Sequence, residues 1–286
     1  MAIERVGVVG CGLMGSGIAE VCARAGCGVV VREIDPAAAE AGQRRIEASI
    51  GRGVKRGKLS EAEADAALGR IELTTDLQAL EDRELVVEAV FESEPAKLEV
   101  FGALDRVVES SDAILASNTS SIPIMKLAMA TERPSAVCGL HFFNPVPVLD
   151  LVELVVSLLT SDETSRRAAA FAGEVLGKHV IRSQDRAGFI VNQLLIPYLL
   201  SAIRMVESGF ATQEDVDTGL VKGCNHPMGP LALADLIGLD TTQAVAESLY
   251  TEFKEPLYAP PPLLSRMVEA GLLGRKTGRG FYEYAR

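Results

Sequence analysis

The chain has 286 residues, 48% apolar and 23% charged, with a net charge of −11; it is long enough to bury one large or two modest cores without staples. That charge argues against nucleic acid or an anionic membrane as partner. No apolar run reaches the roughly 18 to 20 residues of a membrane span. The five cysteines, Cys11, Cys22, Cys27, Cys138 and Cys224, are odd in number and lack CxxC spacing, so neither a disulfide framework nor a metal site is expected. The start MAIERVGVVG has no charged region ahead of its apolar segment, and the expectation is a cytoplasmic protein that begins directly with a strand.

Residues 3–9 are β-branched and apolar, and they run into Gly10-Cys11-Gly12-Leu13-Met14-Gly15, after which residues 16–25 follow a helical pattern. A strand, then GxGxxG, then a helix suits a dinucleotide: the glycines allow a tight turn and close approach to a pyrophosphate, and the helix N-terminus favours its charge. The alternative is a glycine turn that only serves packing. Residues 28–33 form a second strand ending in Glu33, whose carboxylate can accept both hydroxyls of an adenosine ribose and would repel a 2′-phosphate. NAD is favoured on that ground. Arg32 beside it could instead pair with the extra phosphate of NADP, so NADP stays open.

Residues 36–56 read as a helix. Arg45, Ser49, Arg52 and Arg56 follow one another on one stripe, which Lys55 and Lys58 extend. The stripe either docks a phosphate-bearing ligand or is a solvated face. Residues 59–68 look like a second, antiparallel helix, making an inserted hairpin. Residues 84–90 are the next strand, with Glu92 and Lys97 just beyond it, where open parallel sheets bind ligands. Residues 113–117 repeat the pattern and end in Asn118-Thr119-Ser120-Ser121, which is also suited to capping the following helix.

Residues 136–140 read as a strand leading to His141. Asn144-Pro145 and Pro147 turn the chain, and residues 149–156 form a second apolar run. Adjacent strands joined in this way would set Glu153 against the His141 ring. A carboxylate there fixes the tautomer and favours the protonated form, preparing the histidine to accept and return a proton. The alternative is a structural histidine beside an unrelated glutamate. His179 and His226 lie in connections and read as structural. Residues 164–176 suggest a helix and 178–182 a last strand, so a domain boundary is placed between 184 and 185. Beyond it, residues 189–208 (with Asn192 as a polar interruption), 212–221, 230–236 and 241–253 read as helices, before a glycine-rich basic turn closed by aromatics at 274–284. A helix apolar over most of its surface needs partners, and self-association of this helical domain is expected.

The segments VGVVGCGLMGSGIAE, LVVEAVFE, ILASNTSS, GLHFFNPVPVLDLVELV, GFIVNQLLIPYLL, HPMGPLALADLIGLD and GRKTGRGFYEY coincide in order and spacing with the L-3-hydroxyacyl-CoA dehydrogenase family, which the chain resembles over essentially its whole length. Within it, the compact length and the LGRKTGRGFY ending look like the bacterial 3-hydroxybutyryl-CoA branch. The resemblance implies an α/β Rossmann-type, mostly parallel sheet with an inserted helical hairpin in an NAD-binding domain (1–184), followed by an all-α substrate and dimerisation domain (185–286). It implies an oxidoreductase that reversibly converts (S)-3-hydroxyacyl-CoA, of short chain length, to 3-ketoacyl-CoA by hydride transfer to NAD in fatty acid or butanoate metabolism, acting as a homodimer. It makes His141 and Glu153 the catalytic pair, Ser120 and Asn192 substrate-positioning residues, and Glu33, Glu92, Lys97, Ser120, Asn144 and Lys276 cofactor contacts. Ser49 and a neighbouring cation, Lys55, Arg56 or Lys58, would hold the adenosine-phosphate end of coenzyme A.

Three positions depart from the family pattern: Glu33 replaces the usual Asp, Gln193 stands where Arg usually follows Asn192, and Cys11 occupies a position commonly Ala or Gly. Two alternatives remain. A dehydrogenase of a free 3-hydroxy acid would not need the cationic stripe. A non-catalytic dinucleotide-binding relative would not need His141, Glu153, Ser120 and Asn192 together.

Overall fold

The computed structural model describes residues 3–284; the outermost ends of the two expected domains, residues 1–2 and 285–286, lie outside them. The chain divides into two compact units, Met1–Arg186 and Ala187–Arg286.

The first unit is built on an eight-stranded sheet, β1 (Arg5–Val9), β2 (Gly28–Arg32), β3 (Ile71–Thr74), β4 (Leu85–Glu88), β5 (Ile114–Ser117), β6 (Val137–Phe142), β7 (Leu151–Val156) and β8 (His179–Gln184), in the order β3-β2-β1-β4-β5-β6-β7-β8. Strands β1 to β6 run parallel, β7 is antiparallel to β6, and β8 is parallel to β7. Central strands such as β4 and β5 are buried along their whole length. This explains why they read as continuous apolar runs and not as alternations. Chain order reverses around β1, which has β2 on one side and β4 on the other, and the crevice beyond the carboxyl ends of these strands is where such sheets take ligands.

Helix α1 (Leu13–Arg24) follows β1. The hairpin is α2 (Pro36–Lys55), capped by Asp35 Oδ1 on the Ala38 amide at 2.7 Å, and α3 (Glu61–Leu68), closed by a reciprocal Ser60–Glu63 capping box. Strand β3, at the sheet edge after this hairpin, was not expected from the sequence; its four residues IELT are half exposed and too short to show a period. Helices α4 (Glu94–Val107), α5 (Ile124–Ala128) and α6 (Asp162–Ala170) complete the unit. The expected capping of α5 by residues 118–121 is corrected: the Ile124 and Met125 amides both donate to the Asp185 carboxylate at 2.7 Å.

The second unit contains α7 (Val191–Glu207), α8 (Gln213–Thr218), α9 (Pro230–Ile237), α10 (Leu239–Phe253) and α11 (Pro262–Glu269). Helix α11 was also not anticipated, although the proline run before it supplies a first-turn signal. Two buried aspartates organise this unit. Asp217 accepts from the Leu231 and Ala232 amides and from the Tyr282 hydroxyl. Asp235 accepts from the Phe281 and Tyr282 amides and the Tyr284 hydroxyl. The glycine-rich final segment is thereby pinned to α8 and α9. No helix among the described residues is long and apolar enough to cross a membrane.

Candidate active site

The turn between β1 and α1 gives its glycines distinct tasks. Gly10 has φ +92°, and a Cβ there would meet the Ala89 carbonyl oxygen at 2.8 Å; a Cβ on Gly15 would overlap the Gly10 carbonyl. Gly12 faces open space, and no side chain caps α1. The amides of the first turn are therefore available to an anion whose approach a side chain at Gly12 would impede, as a pyrophosphate needs. Glu33 accepts the Cys11 N–H on one oxygen and the Ile34 N–H on the other at 3.0 Å. Arg45 donates to the Cys11 carbonyl at 3.2 Å. The Cys11 peptide is thus held from both sides, and its thiol is pushed up to about 12 by burial and by Glu33, with Arg45 opposing, which leaves it no thiolate chemistry. Gly15→Ala is expected to abolish measurable NADH binding in a fluorescence titration, while the protein still melts cooperatively.

Beyond β4 and β5 lies a buried polar network. Glu88 is fully buried; it accepts from Lys97 Nζ at 2.6 Å, from the Val90 amide at 2.7 Å and from Ser117 Oγ at 2.6 Å. The Lys97 ammonium, 1% exposed, lies 3.3 Å from Glu92 on its other side. Glu92 in turn accepts from the Thr119 and Ser121 hydroxyls and the Ser120 amide. Burial pushes the Glu92 carboxyl upward, but Lys97 and these hydrogen bonds outweigh it and hold the group below its ordinary value. Lys97 is therefore the internal counter-ion that aims Glu92, and the Ser120 backbone is tied to the same carboxylate. Of this network, sequence reasoning missed Glu88 and Ser117. The signal was a carboxylate inside the apolar run LVVEAV, since a buried charge requires a partner.

His141 and Glu153 are directly paired residues of β6 and β7, and Nδ1 lies 2.7 Å from Glu153 Oε2. Glu153 is fully buried and His141 is 6% exposed. The Phe143 ring packs on the imidazole with centroids 4.6 Å apart, and Asn118 Oδ1 accepts the Phe142 amide at 2.9 Å. His141 is one residue from the carboxyl end of β6, the sheet edge at which β1, β4 and β5 also end. His179 and His226 are exposed.

Ser49 and Arg52 line, with Arg44, Arg45 and exposed Asn144, a cleft of about 420 Å³ between α1, α2 and the turn after β6. Lys55, Arg56 and Lys58 are exposed at the end of α2 and beyond it. Asn192, in the first turn of α7, and Lys276, paired with Asp240 Oδ2 at 2.6 Å, belong to the second unit. Among the described residues no cluster of three or more His, Cys, Asp or Glu could hold a metal.

A glycine turn at the switch point of a parallel sheet, with a carboxylate-backed histidine at the same edge, defines a nucleotide-linked dehydrogenase. The model of the 3-hydroxyacyl-CoA dehydrogenase NAD binding domain matches residues 5–186, and that of the C-terminal domain of the same enzymes matches residues 188–284. The chain is 62% identical over 283 residues to a 3-hydroxybutyryl-CoA dehydrogenase of Mycobacterium tuberculosis, covering 99% of each. Among solved structures it is similar to M. tuberculosis FadB2, with a TM-score of 0.99, 62% identity and all of both chains covered. It is also similar to the (S)-3-hydroxybutyryl-CoA dehydrogenase of Ralstonia eutropha, with a TM-score of 0.94, 46% identity and all of both chains covered. The chain belongs to the 3-hydroxyacyl-CoA dehydrogenase family.

Proposed function

We propose that this chain interconverts (S)-3-hydroxybutyryl-CoA and acetoacetyl-CoA with NAD as redox partner. The observation that carries the reading is the 2.7 Å contact between His141 Nδ1 and Glu153, in a chain similar over its full length to proteins named for this reaction. Bound at the glycine turn, NAD supplies the hydride acceptor. The chain's own residues manage protons and position. Glu153 accepts the Nδ1–H and so selects the tautomer whose Nε2 is basic. That nitrogen takes the proton of the 3-hydroxyl during oxidation and returns it during reduction, and Glu153 stabilises the imidazolium in between. Ser120 and Asn192 are assigned to hydrogen-bond the 3-oxygen or the thioester carbonyl. Glu33 is assigned to the adenosine ribose, the glycine turn from Gly10 to Gly15 to the pyrophosphate, and Glu92, Lys97, Asn144 and Lys276 to the rest of the cofactor, with Lys97 acting through Glu92.

Ser49 and a neighbouring cation, Lys55, Arg56 or Lys58, are assigned to the phosphate end of coenzyme A. The cleft lined by Ser49, Arg52 and Asn144 supports a path from that end toward the turn after His141. The exposed apolar side chains Leu194, Phe210 and Leu236 of the helical unit support its role in homodimerisation, and the cytoplasm is the proposed location.

A steady-state comparison tests cofactor and substrate together. NADH is expected to outperform NADPH, because a 2′-phosphate would meet the Glu33 carboxylate. Arg32, whose Nε is buried without a partner among the described residues, is the group that would support the opposite result. Acetoacetyl-CoA is expected to be reduced and free acetoacetate hardly at all. Of Lys55→Ala, Arg56→Ala and Lys58→Ala, the one that removes the phosphate contact should raise KM for acetoacetyl-CoA about tenfold with kcat unchanged, as loss of a uniform binding contact does. Equal activity on free acetoacetate would sink the CoA assignment.

A further inference from the structure

The turn between His141 and Glu153 is held from outside by a buried cation that the reaction itself does not use. Lys178, just before β8, is 9% exposed and donates from Nζ to the carbonyls of Val146 and Leu149, both at 2.8 Å. The neighbouring His179 amide donates to the Asp150 carbonyl at 2.6 Å. Within the turn, the Val148 and Leu149 amides both donate to the Pro145 carbonyl at 2.9 Å. Val146, 2% exposed, also packs against α1 at Gly17, where a Cβ would come within 2.9 Å of the valine. The turn is therefore closed on itself, seated on α1 by Val146 and tied to β8 by Lys178.

We propose that Lys178 is a positioning residue for the dehydrogenase reaction, clamping the turn from Asn144 to Asp150 so that Asn144 and the strands of His141 and Glu153 keep their working geometry. The clamp needs hydrogen-bond donors at that place. A neutral stem of the same length would leave two inward carbonyls without donors, and the turn would open to let water reach them. Burial draws the Lys178 ammonium below its ordinary value; Asp150 works against that displacement and Arg24 with it. A charge kept in so unfavourable a setting, where most lysines would reach solvent, has its hydrogen bonds as the reason. The His141–Glu153 contact is cross-strand, between register partners, so loss of the clamp loosens the turn that joins the two strands and does not unpair them.

This inference rests on the proposed roles of His141, Glu153 and Asn144, and its test separates the two. The full chain carrying Lys178→Met is compared with Lys178→Arg well below the melting temperature. Expected for Lys178→Met are exchange of the Val148 and Leu149 amides faster by about tenfold or more, an NADH Kd raised about tenfold and kcat lowered by a similar factor, with KM for acetoacetyl-CoA little changed. Lys178→Arg, which keeps donors at the same place, restores most of each. If Lys178→Met does not fold, Lys178→Gln, with one donor group left, is read in its place. Unchanged exchange and unchanged kinetics in a folded Lys178→Met overturn the proposal, as does a lowered melting temperature that comes with no change in Kd or kcat. If Asn144→Ala leaves NADH affinity intact while Lys178→Met accelerates exchange and lowers kcat, the role of Asn144 is withdrawn and the clamp stands.

Discussion

Replacing His141 by glutamine is expected to lower kcat for acetoacetyl-CoA reduction by about 10² to 10⁴-fold, the range a positioned general acid-base group contributes. NADH affinity, measured separately by fluorescence, should stay within about twofold, since uniform binding is untouched. Glutamine is the informative choice because its amide can still donate to the Glu153 carboxylate, 2.7 Å from Nδ1 in the parent. The fully buried Glu153 then keeps a hydrogen-bond partner, and a folding defect does not masquerade as a catalytic one. What glutamine cannot do is take up and return a proton. A variant that kept more than about a tenth of the parent rate would remove His141 from the role assigned to it, given the size of the effect expected.

The largest effect on stability is expected from Lys97→Met. The ammonium lies between Glu88 Oε1 at 2.6 Å and Glu92 Oε2 at 3.3 Å, and methionine keeps the apolar stem while deleting the charge. Glu88, with no exposure, is then a buried carboxylate without its cation, and breaking a buried pair from one side costs about 3 to 5 kcal/mol. For a unit of this size that corresponds to a fall in Tm of about 10 °C or more. Adding Glu88→Gln should recover part of the loss, because the amide oxygen can still accept from the Val90 N–H while its NH2 donates to the Ser117 oxygen, and a double-mutant cycle measures how much. The pH dependence follows from Glu92, whose carboxyl Lys97 helps hold below its ordinary 4.5. A depressed folded value adds stability that is complete above the unfolded value and is lost as pH falls through the folded one. Lys97→Met lacks the Lys97 part of that contribution, so its Tm should approach the parent's as pH falls below about 4. A constant gap across that interval would show that Lys97 does not act through Glu92.

These two residues differ in how far they could be read in advance. His141 and Glu153 are twelve residues apart, joined by one turn rich in proline and flanked by two apolar runs. Antiparallel pairing with a tight connection makes such residues neighbours by local geometry alone, and they are direct register partners. Lys97 could be placed near the ligand edge, but its burial between two carboxylates could not. That depends on Glu88 belonging to a strand with no solvent-facing side. Arg45 shows the same limit from the other direction: its place on the stripe left open a phosphate ligand or a solvated face, and neither reading foresaw that its guanidinium holds the Cys11 carbonyl while it lines the cleft with Ser49 and Arg52.

The sequence by itself determined the glycine turn, the helical hairpin and the passage from alternating strands and helices to helices alone, and it offered the His141–Glu153 pairing as one of two readings. Each is written in a short window, as a period, a cap or a turn residue. Tertiary structure decided what meets at the edge of the sheet. The hydrogen bonds from Ser117 and Thr119 to Glu88 and Glu92 span 29 and 27 residues, and Lys178 reaches back 32 residues to Val146. Such contacts depend on strand order, β3-β2-β1-β4-β5-β6-β7-β8, and local hydrophobic periodicity is the same whichever order the strands take. The short edge strand β3 was missed for a related reason, since four half-exposed residues carry no pattern until a neighbouring strand supplies their hydrogen bonds.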